Sequence, residues 1–289
     1  MKKIGTQSEV AQTVRDNEFR IKKHYGQNFL VDQNILENII KRSKITKETF
    51  VIEIGPGFGS LTEKLVKTAS QVLAYEIDRD LIPILNDNFC DVDNLILVNE
   101  DILKIDIDKD IEKYIKNEED IVVISNLPYY ITTPILMKFL ETSKRVKKLV
   151  LMMQYEVAKR ITSAPNTKDY NALSVVIQYR AHTSILFKVP KTVFIPAPNV
   201  DSAVILVELK NDEEKFKIDE SFFFAFVHFA FAQRRKTLIN NLLQGYPNQN
   251  RIYFEALLTN QKLNLTVRAE ALSLEQLLEL ANALQLDEK

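Results

Sequence analysis

The 289-residue sequence predicts an α/β fold: a mostly parallel sheet with an antiparallel last strand over residues 1–210, then a small all-α C-terminal domain over 211–289. Three observations predict it. Short apolar runs alternate with helical patterns from residue 50 to residue 152, as in a parallel sheet covered by helices. The first run feeds into Gly55-Pro56-Gly57-Phe58-Gly59, a glycine turn that leads into a helix. After residue 211 the alternation stops, and helical periodicity continues to the end.

The expected strands in order are residues 50–54, 71–75, 95–98, 121–124 and 148–152, with helices such as 60–67 and 81–88 between them. Residues 184–189 and 203–209 read as two more strands, joined by a Pro-rich loop (190–200) without a helical pattern. Parallel neighbours need a long crossover, so this pair is expected to form an antiparallel edge. Asn211-Asp212-Glu213-Glu214-Lys215 is a polar break and the expected linker. Residues 106–119, rich in Asp, Glu and Lys, read as a solvated surface insertion without chemistry.

The chain is 46% hydrophobic with a net charge of -1, so a nucleic-acid partner has to meet a local basic face. Lys144-Arg145-Val146-Lys147-Lys148 and Gln233-Arg234-Arg235-Lys236 are the densest basic clusters; Lys22-Lys23 and Lys159-Arg160 are smaller. Each reads equally well as a phosphate contact or as a solvated face. On a helix Arg234 and Arg235 point about 100° apart, which leaves one of them to pin the C-terminal domain to the catalytic domain. Cys90 is the only cysteine, so it reads as a small half-buried hydrophobe. His24, His182 and His228 lack ligand spacing, and no metal is expected. No apolar run approaches the roughly 20 residues of a membrane span. The N-terminus carries Glu9, Asp16 and Glu18 without an apolar core, unlike a targeting signal. A cytoplasmic protein is the expectation.

The glycine turn lacks dinucleotide spacing: Ser60 stands where that fingerprint needs Gly or Ala, and Pro56 removes an N–H donor. A small cofactor without a pyrophosphate fits better than NAD. Glu76, at the end of the second strand, sits where a carboxylate accepts both ribose hydroxyls. Asp101 follows the third strand, where it can accept an adenine amino hydrogen, and Asn126 ends the fourth. Ligands of open α/β sheets bind outside the carboxyl ends of the strands, so these groups in register point to one site.

Asn126-Leu127-Pro128-Tyr129 carries the most specific chemistry. The exocyclic amine of a nucleobase is a poor nucleophile because its lone pair is delocalised into the ring. Two acceptors, the Asn126 side-chain oxygen and the Pro128 backbone carbonyl, can take its two hydrogens, while Tyr129 offers a flat face for stacking. No nearby residue is an obvious general base, so the proton is expected to leave to solvent.

With those residues placed, the chain resembles the rRNA adenine N6-methyltransferase family, within the class I S-adenosylmethionine-dependent methyltransferases. It more specifically resembles the small-subunit dimethyltransferase (KsgA) type. The resemblance runs from about residue 20 to the C-terminus. It rests on His24-Tyr25-Gly26-Gln27-Asn28-Phe29-Leu30, residues 53–59, Glu76, Asp101 and Asn126-Leu127-Pro128-Tyr129-Tyr130-Ile131. Residues 194–203 and 231–238 complete it. It implies a class I (Rossmann-like) sheet and S-adenosylmethionine held by Asn28, Leu30, Gly55, Glu76, Asp101 and Asn126. It also implies an adenine held by Asn126 and Pro128, with Tyr129 on one face and Phe194 on the other.

Phe194 reads alternatively as a hydrophobic plug under the proline-rich turn. Gln27-Asn28-Phe29-Leu30 reads either as a flap over the cofactor or as the approach to a helix capped by Asp32. The implied activity is dimethylation of two adjacent adenines in the 3′-terminal hairpin loop of small-subunit rRNA, within immature 30S subunits, by a monomer. A base inside a duplex cannot enter such a pocket, so the target is flipped or lies in a loop. Rival readings are the large-subunit rRNA methyltransferase of macrolide resistance and a non-catalytic ribosome assembly factor. An NAD oxidoreductase is weaker because the glycine spacing fails. The segment before residue 20 matches no motif.

Overall fold

The computed structural model describes residues 26–115, 120–211 and 218–287, together with Ser8, Glu9, Gln12, Arg15, Phe19 and Lys22. His24 and Tyr25 of the first motif, Lys23 and residues 212–215 of the expected linker lie outside the described residues.

Two compact units divide the chain. The first comprises the residues up to Ala158 and His182–Leu209; the second comprises Lys159–Ala181 and everything from Lys210 onward. Residues 159–181, which the sequence assigns to the first domain, thus belong to the second. The cause is apolar: Tyr170, Val175 and Tyr179 are buried with Phe223, Phe226 and Leu277 in one core.

The first unit begins with β1 (Phe29–Leu30), α1 (Gln33–Ser43), β2 (Thr49–Ile54), α2 (Ser60–Thr68), β3 (Gln71–Tyr75) and α3 (Leu81–Asn88). It continues with β4 (Leu95–Val98), α4 (Ile107–Glu112), β5 (Asp120–Asn126), α5 (Thr132–Thr142), β6 (Val146–Gln154) and α6 (Tyr155–Thr162). After α7 (Ala172–Arg180) come β7 (Ala181–Val189), β8 (Phe194–Ile195) and β9 (Ser202–Leu209).

A seven-stranded sheet runs β4-β3-β2-β5-β6-β9-β7. The pairs β4/β3, β3/β2, β2/β5 and β5/β6 are parallel, and β9 runs antiparallel to β6. This is the mostly parallel sheet with an antiparallel last strand that the sequence predicts, with β9 set between β6 and the edge strand β7. Every residue of β2 is buried, as its apolar run requires at the centre of a sheet covered on both faces. Leu36, Leu65, Val72 and Val150 belong to the same apolar core. Each such side chain contributes about 1.5–3 kcal/mol.

Two further features of the first unit depart from expectation. Residues 106–119 are not merely a solvated insertion: α4 buries Ile107 and Ile111, and Asp110 lies 2.5 Å from the Tyr75 hydroxyl. Its residues 116–119 lie outside the described residues. Cys90 is exposed rather than half-buried.

The second unit packs α7 with α8 (Glu220–Ala230), α9 (Leu238–Gly245), α10 (Arg251–Asn260) and α11 (Leu274–Asp287). Arg180 is buried here, donating to both carboxylate oxygens of Glu220 at 2.9 and 2.7 Å. Residues 231–237 form a turn between α8 and α9, not a helix, so the helical spacing of Arg234 and Arg235 does not apply. Arg234 donates to the Lys168 carbonyl at 2.5 Å and so ties down a segment of its own unit. No described helix is long and apolar enough to cross a membrane.

Candidate active site

The parallel strands end in groups that do not serve the core. β2 runs into the glycine turn, where Gly55 has φ +67° and Gly59 φ +92°. A Cβ on Gly59 would strike the Phe89 ring at 2.4 Å, so that glycine allows α2 to start close against α3. Gly55 differs: a Cβ there would have no neighbour within 4 Å. Its bare backbone faces open space rather than protein.

Two carboxylates sit behind this turn. Glu53, 2% exposed in β2, accepts a hydrogen bond from Thr62 Oγ1 at 2.6 Å. Burial pushes its pKa up to about 8, against the Thr62 bond, and the charge of Glu76 adds to the rise. Glu76, 4% exposed just past β3, accepts from Gly57 N at 3.2 Å and Asp78 N at 2.8 Å. Burial raises it to about 7, and those backbone donors hold it from rising further. Burial therefore disfavours the anion of both acids. Asp101, partly exposed beyond β4, accepts from Leu103 N at 3.0 Å.

Residues 26–30 form a strap along the site. Gln27 accepts from Lys22 N at 2.8 Å and donates to Asp78 Oδ2 at 2.8 Å. Asp78 is 1% exposed, and Lys22 Nζ lies 2.6 Å from its other oxygen. The strap continues into β1, which pairs antiparallel with β8, Leu30 opposite Phe194. Asp32 does cap the following helix, accepting from Asn34 N and Ile35 N. The segment is thus both the approach to α1 and a strap. The sequence pointed to Glu76 but missed Asp78, whose sequence signal is only an acid two positions on.

The Asn126-Leu127-Pro128-Tyr129 motif leaves the end of β5. Asn126 Nδ2 donates to the Asn28 carbonyl at 3.2 Å, which leaves its Oδ1 as an acceptor. Tyr129 is held through its hydroxyl, 2.7 Å from Ser202 Oγ on β9. The Pro128 carbonyl is occupied: Ile131 N and Thr132 Oγ1 donate to it at 3.2 and 3.1 Å, closing the first turn of α5. Among the described residues no donor reaches the Leu127 carbonyl, although Leu127 N bonds to Met152 O at 3.3 Å. The Pro128 carbonyl, the second acceptor expected from the sequence, is thus already taken by the start of a helix.

Asn28, Leu30, Gly55, Glu76, Asp101, Asn126, Pro128 and Tyr129 all line one cavity of about 220 Å³. Phe194 does not line it. At 3% exposure it is packed in the core beneath the strap, the plug of the two alternatives. The basic cluster 144–148 is also away from the cavity. It opens β6 and ends at Lys148, while Met152 pairs with Asn126, so about 13 Å of strand at 3.3 Å per residue separates the cluster from the sheet end that carries the site.

A sequence profile described as ribosomal RNA adenine dimethylase matches residues 18–286. The chain belongs to that family. Two curated members are named ribosomal RNA small subunit methyltransferase A. The one from Bacillus pumilus (strain SAFR-032) is 43% identical over 98% of this chain and 98% of its own length. The one from Lactococcus lactis subsp. lactis (strain IL1403) is 46% identical over 94% and 92%. Among solved structures, a dimethyladenosine transferase from Plasmodium falciparum has a TM-score of 0.73 and 25% identity, covering 90% of this chain and 97% of its own. The 23S rRNA methyltransferase ErmE has a TM-score of 0.69 at 25% identity, covering 89% and 100%. The family is thus matched over both units.

Proposed function

We propose that this member of the family transfers methyl groups from S-adenosylmethionine to N6 of two adjacent adenines. Its target is the 3′-terminal hairpin loop of small-subunit (16S) rRNA, and its product is N6,N6-dimethyladenosine. It works as a cytoplasmic monomer on immature 30S subunits. The observation that carries the reading is Asn126: its amide nitrogen is engaged by Asn28, so its oxygen remains an acceptor on the cavity wall. Full-length relatives at 43 and 46% identity, both named for the small subunit, favour that target over the 23S rRNA named for ErmE.

S-adenosylmethionine fits the residues present. Gly55 leaves its side of the cavity bare, Glu76 offers a buried carboxylate for two ribose hydroxyls, and Asp101 adds an acceptor at the rim. Asn28 and Leu30 would hold it from the strap. When bound, the cofactor supplies a methyl group activated by its sulfonium charge. The protein's part is alignment. Asn126 Oδ1 accepts one N6 hydrogen and the Leu127 carbonyl the other, which favours the sp3-like amine as the bond forms. The Tyr129 ring stacks on the base, its hydroxyl fixed by Ser202. Phe194 positions the strap through Leu30. The second unit contacts the ribosomal RNA.

Methyl transfer from labelled cofactor to unmodified 30S particles and, separately, to protein-free 23S rRNA tests the reading, with mass spectrometry of the digested RNA. Dimethyladenosine from 30S particles alone is expected. Modified 23S rRNA, or tight 30S binding without any methylation, would overturn it.

A further inference from the structure

Tyr130 follows the motif and has no part in the chemistry of Asn126 and Leu127. It is 55% exposed, yet it lines the same cavity as Tyr129. The two rings are seated differently. Tyr129 is held by its hydroxyl to buried Ser202. Tyr130 leans on Gly26, where a Cβ would come within 3.1 Å of its Cδ1 and 3.3 Å of its Cε1. Gly26 also has φ +60°, a conformation that suits glycine. The ring therefore lies against bare backbone on one side, while the residue as a whole stays more than half exposed.

We propose that Tyr130 is a stacking platform for the nucleotide next to the target adenine. This rests on the proposed rRNA activity and goes beyond it. An enzyme that modifies two adjacent adenines has to place the second base while the first occupies the slot beside Tyr129. Tyr129 and Tyr130 are consecutive, about 3.8 Å apart at Cα, and both line the cavity. A base held beside Tyr129 leaves its covalently linked neighbour within reach of the exposed Tyr130. Unpaired bases are commonly held by stacking on aromatic rings, which tolerates any base. Tyr130 positions substrate and leaves the reacting atoms to Asn126 and Leu127.

The test is steady-state methyl transfer to unmodified 30S particles by the wild type, Tyr130→Phe and Tyr130→Ala, with S-adenosylhomocysteine affinity measured by calorimetry for each. Loss of a stacked base predicts that Tyr130→Ala raises KM for the particle by about 5- to 150-fold. Tyr130→Phe keeps the wild-type KM, and all three bind S-adenosylhomocysteine alike. An unchanged KM in Tyr130→Ala overturns the proposal. So does a rise matched by weaker S-adenosylhomocysteine binding, which would make the ring a prop for Gly26 and the strap. A wild type inactive on 30S particles would instead sink the rRNA reading, and this inference with it.

Discussion

The two ends of the same parallel strands are built on opposite plans. At the amino ends, polar groups are satisfied within the protein. Ser143 Oγ and Lys144 N both donate to Asp108, Ser70 N and Oγ donate to the Thr49 carbonyl, and Asn94 donates to the Val66 carbonyl. At the carboxyl ends, Gly55 faces open space, and Glu53 and Glu76 are buried acids pushed toward their neutral forms. The Leu127 carbonyl there has no donor among the described residues. Buried polar groups are nearly always paired, so open backbone at Gly55 and acids pushed toward neutrality set this end apart from the other. Strand propensity is the same at both ends; the division lies in the loops at the strands' carboxyl ends.

Removing the acceptor at the carboxyl end should have the largest effect. Asn126→Ala is expected to lower kcat on the order of 100-fold, in the range seen when one preorganised polar group is lost. S-adenosylhomocysteine affinity should fall much less. Equal losses of both would make Asn126 a cofactor ligand only.

Gly55→Ala is expected to weaken S-adenosylhomocysteine binding by about tenfold, since the new methyl points into the open side of the cavity. Left-handed strain of about 1–2 kcal/mol accompanies it. A variant that loses stability but binds normally would show that this open side is not where the cofactor lies.

The buried acids sharpen the comparison through pH. Glu53 and Glu76 titrate near 8 and 7 in the folded protein, against about 4.3 when unfolded. Between those values the folded state binds more protons, so unfolding free energy falls as pH rises. Ligand-free protein should melt highest near pH 5 and lose stability toward pH 8. Glu53→Gln keeps an acceptor for Thr62 and should flatten the upper part of that curve; superimposable melting profiles for both proteins would refute that effect of burial. Ionised Glu76 is the better ribose acceptor, so cofactor affinity should rise through pH 7.

The smallest effect belongs to the amino end. Lys144→Glu with Lys147→Glu should leave KM for 30S particles and its salt dependence unchanged. A shallower salt slope would put RNA on both ends of the sheet.

Much of the fold and site was legible in the sequence because strong local patterns encode it. The β2 run and its glycine turn, the acids after β3 and β4, and the motif after β5 all succeed apolar strands of clear length. The features that escaped depend on tertiary partners. Whether Pro128 or Leu127 offers its carbonyl depends on how α5 begins, which the motif does not state. Two-residue β1 and β8 have no periodicity to read. Residues 159–181 look like one more helical connection until Tyr170 and Val175 are seen in the second core. For Phe194 the sequence allows a base contact or a plug, and burial favours the plug.

The ladder between β1 and β8 also imposes an order on synthesis. Phe29–Leu30 emerges early, but its partner Phe194–Ile195 emerges only after most of the first unit has been made. Chains fold from the N-terminus as they are translated. A growing chain therefore holds Glu76 and Asn126 long before β1 can pair with β8. The strap is first tied through Asp78 and Asn126, and its pairing with β8 is added last.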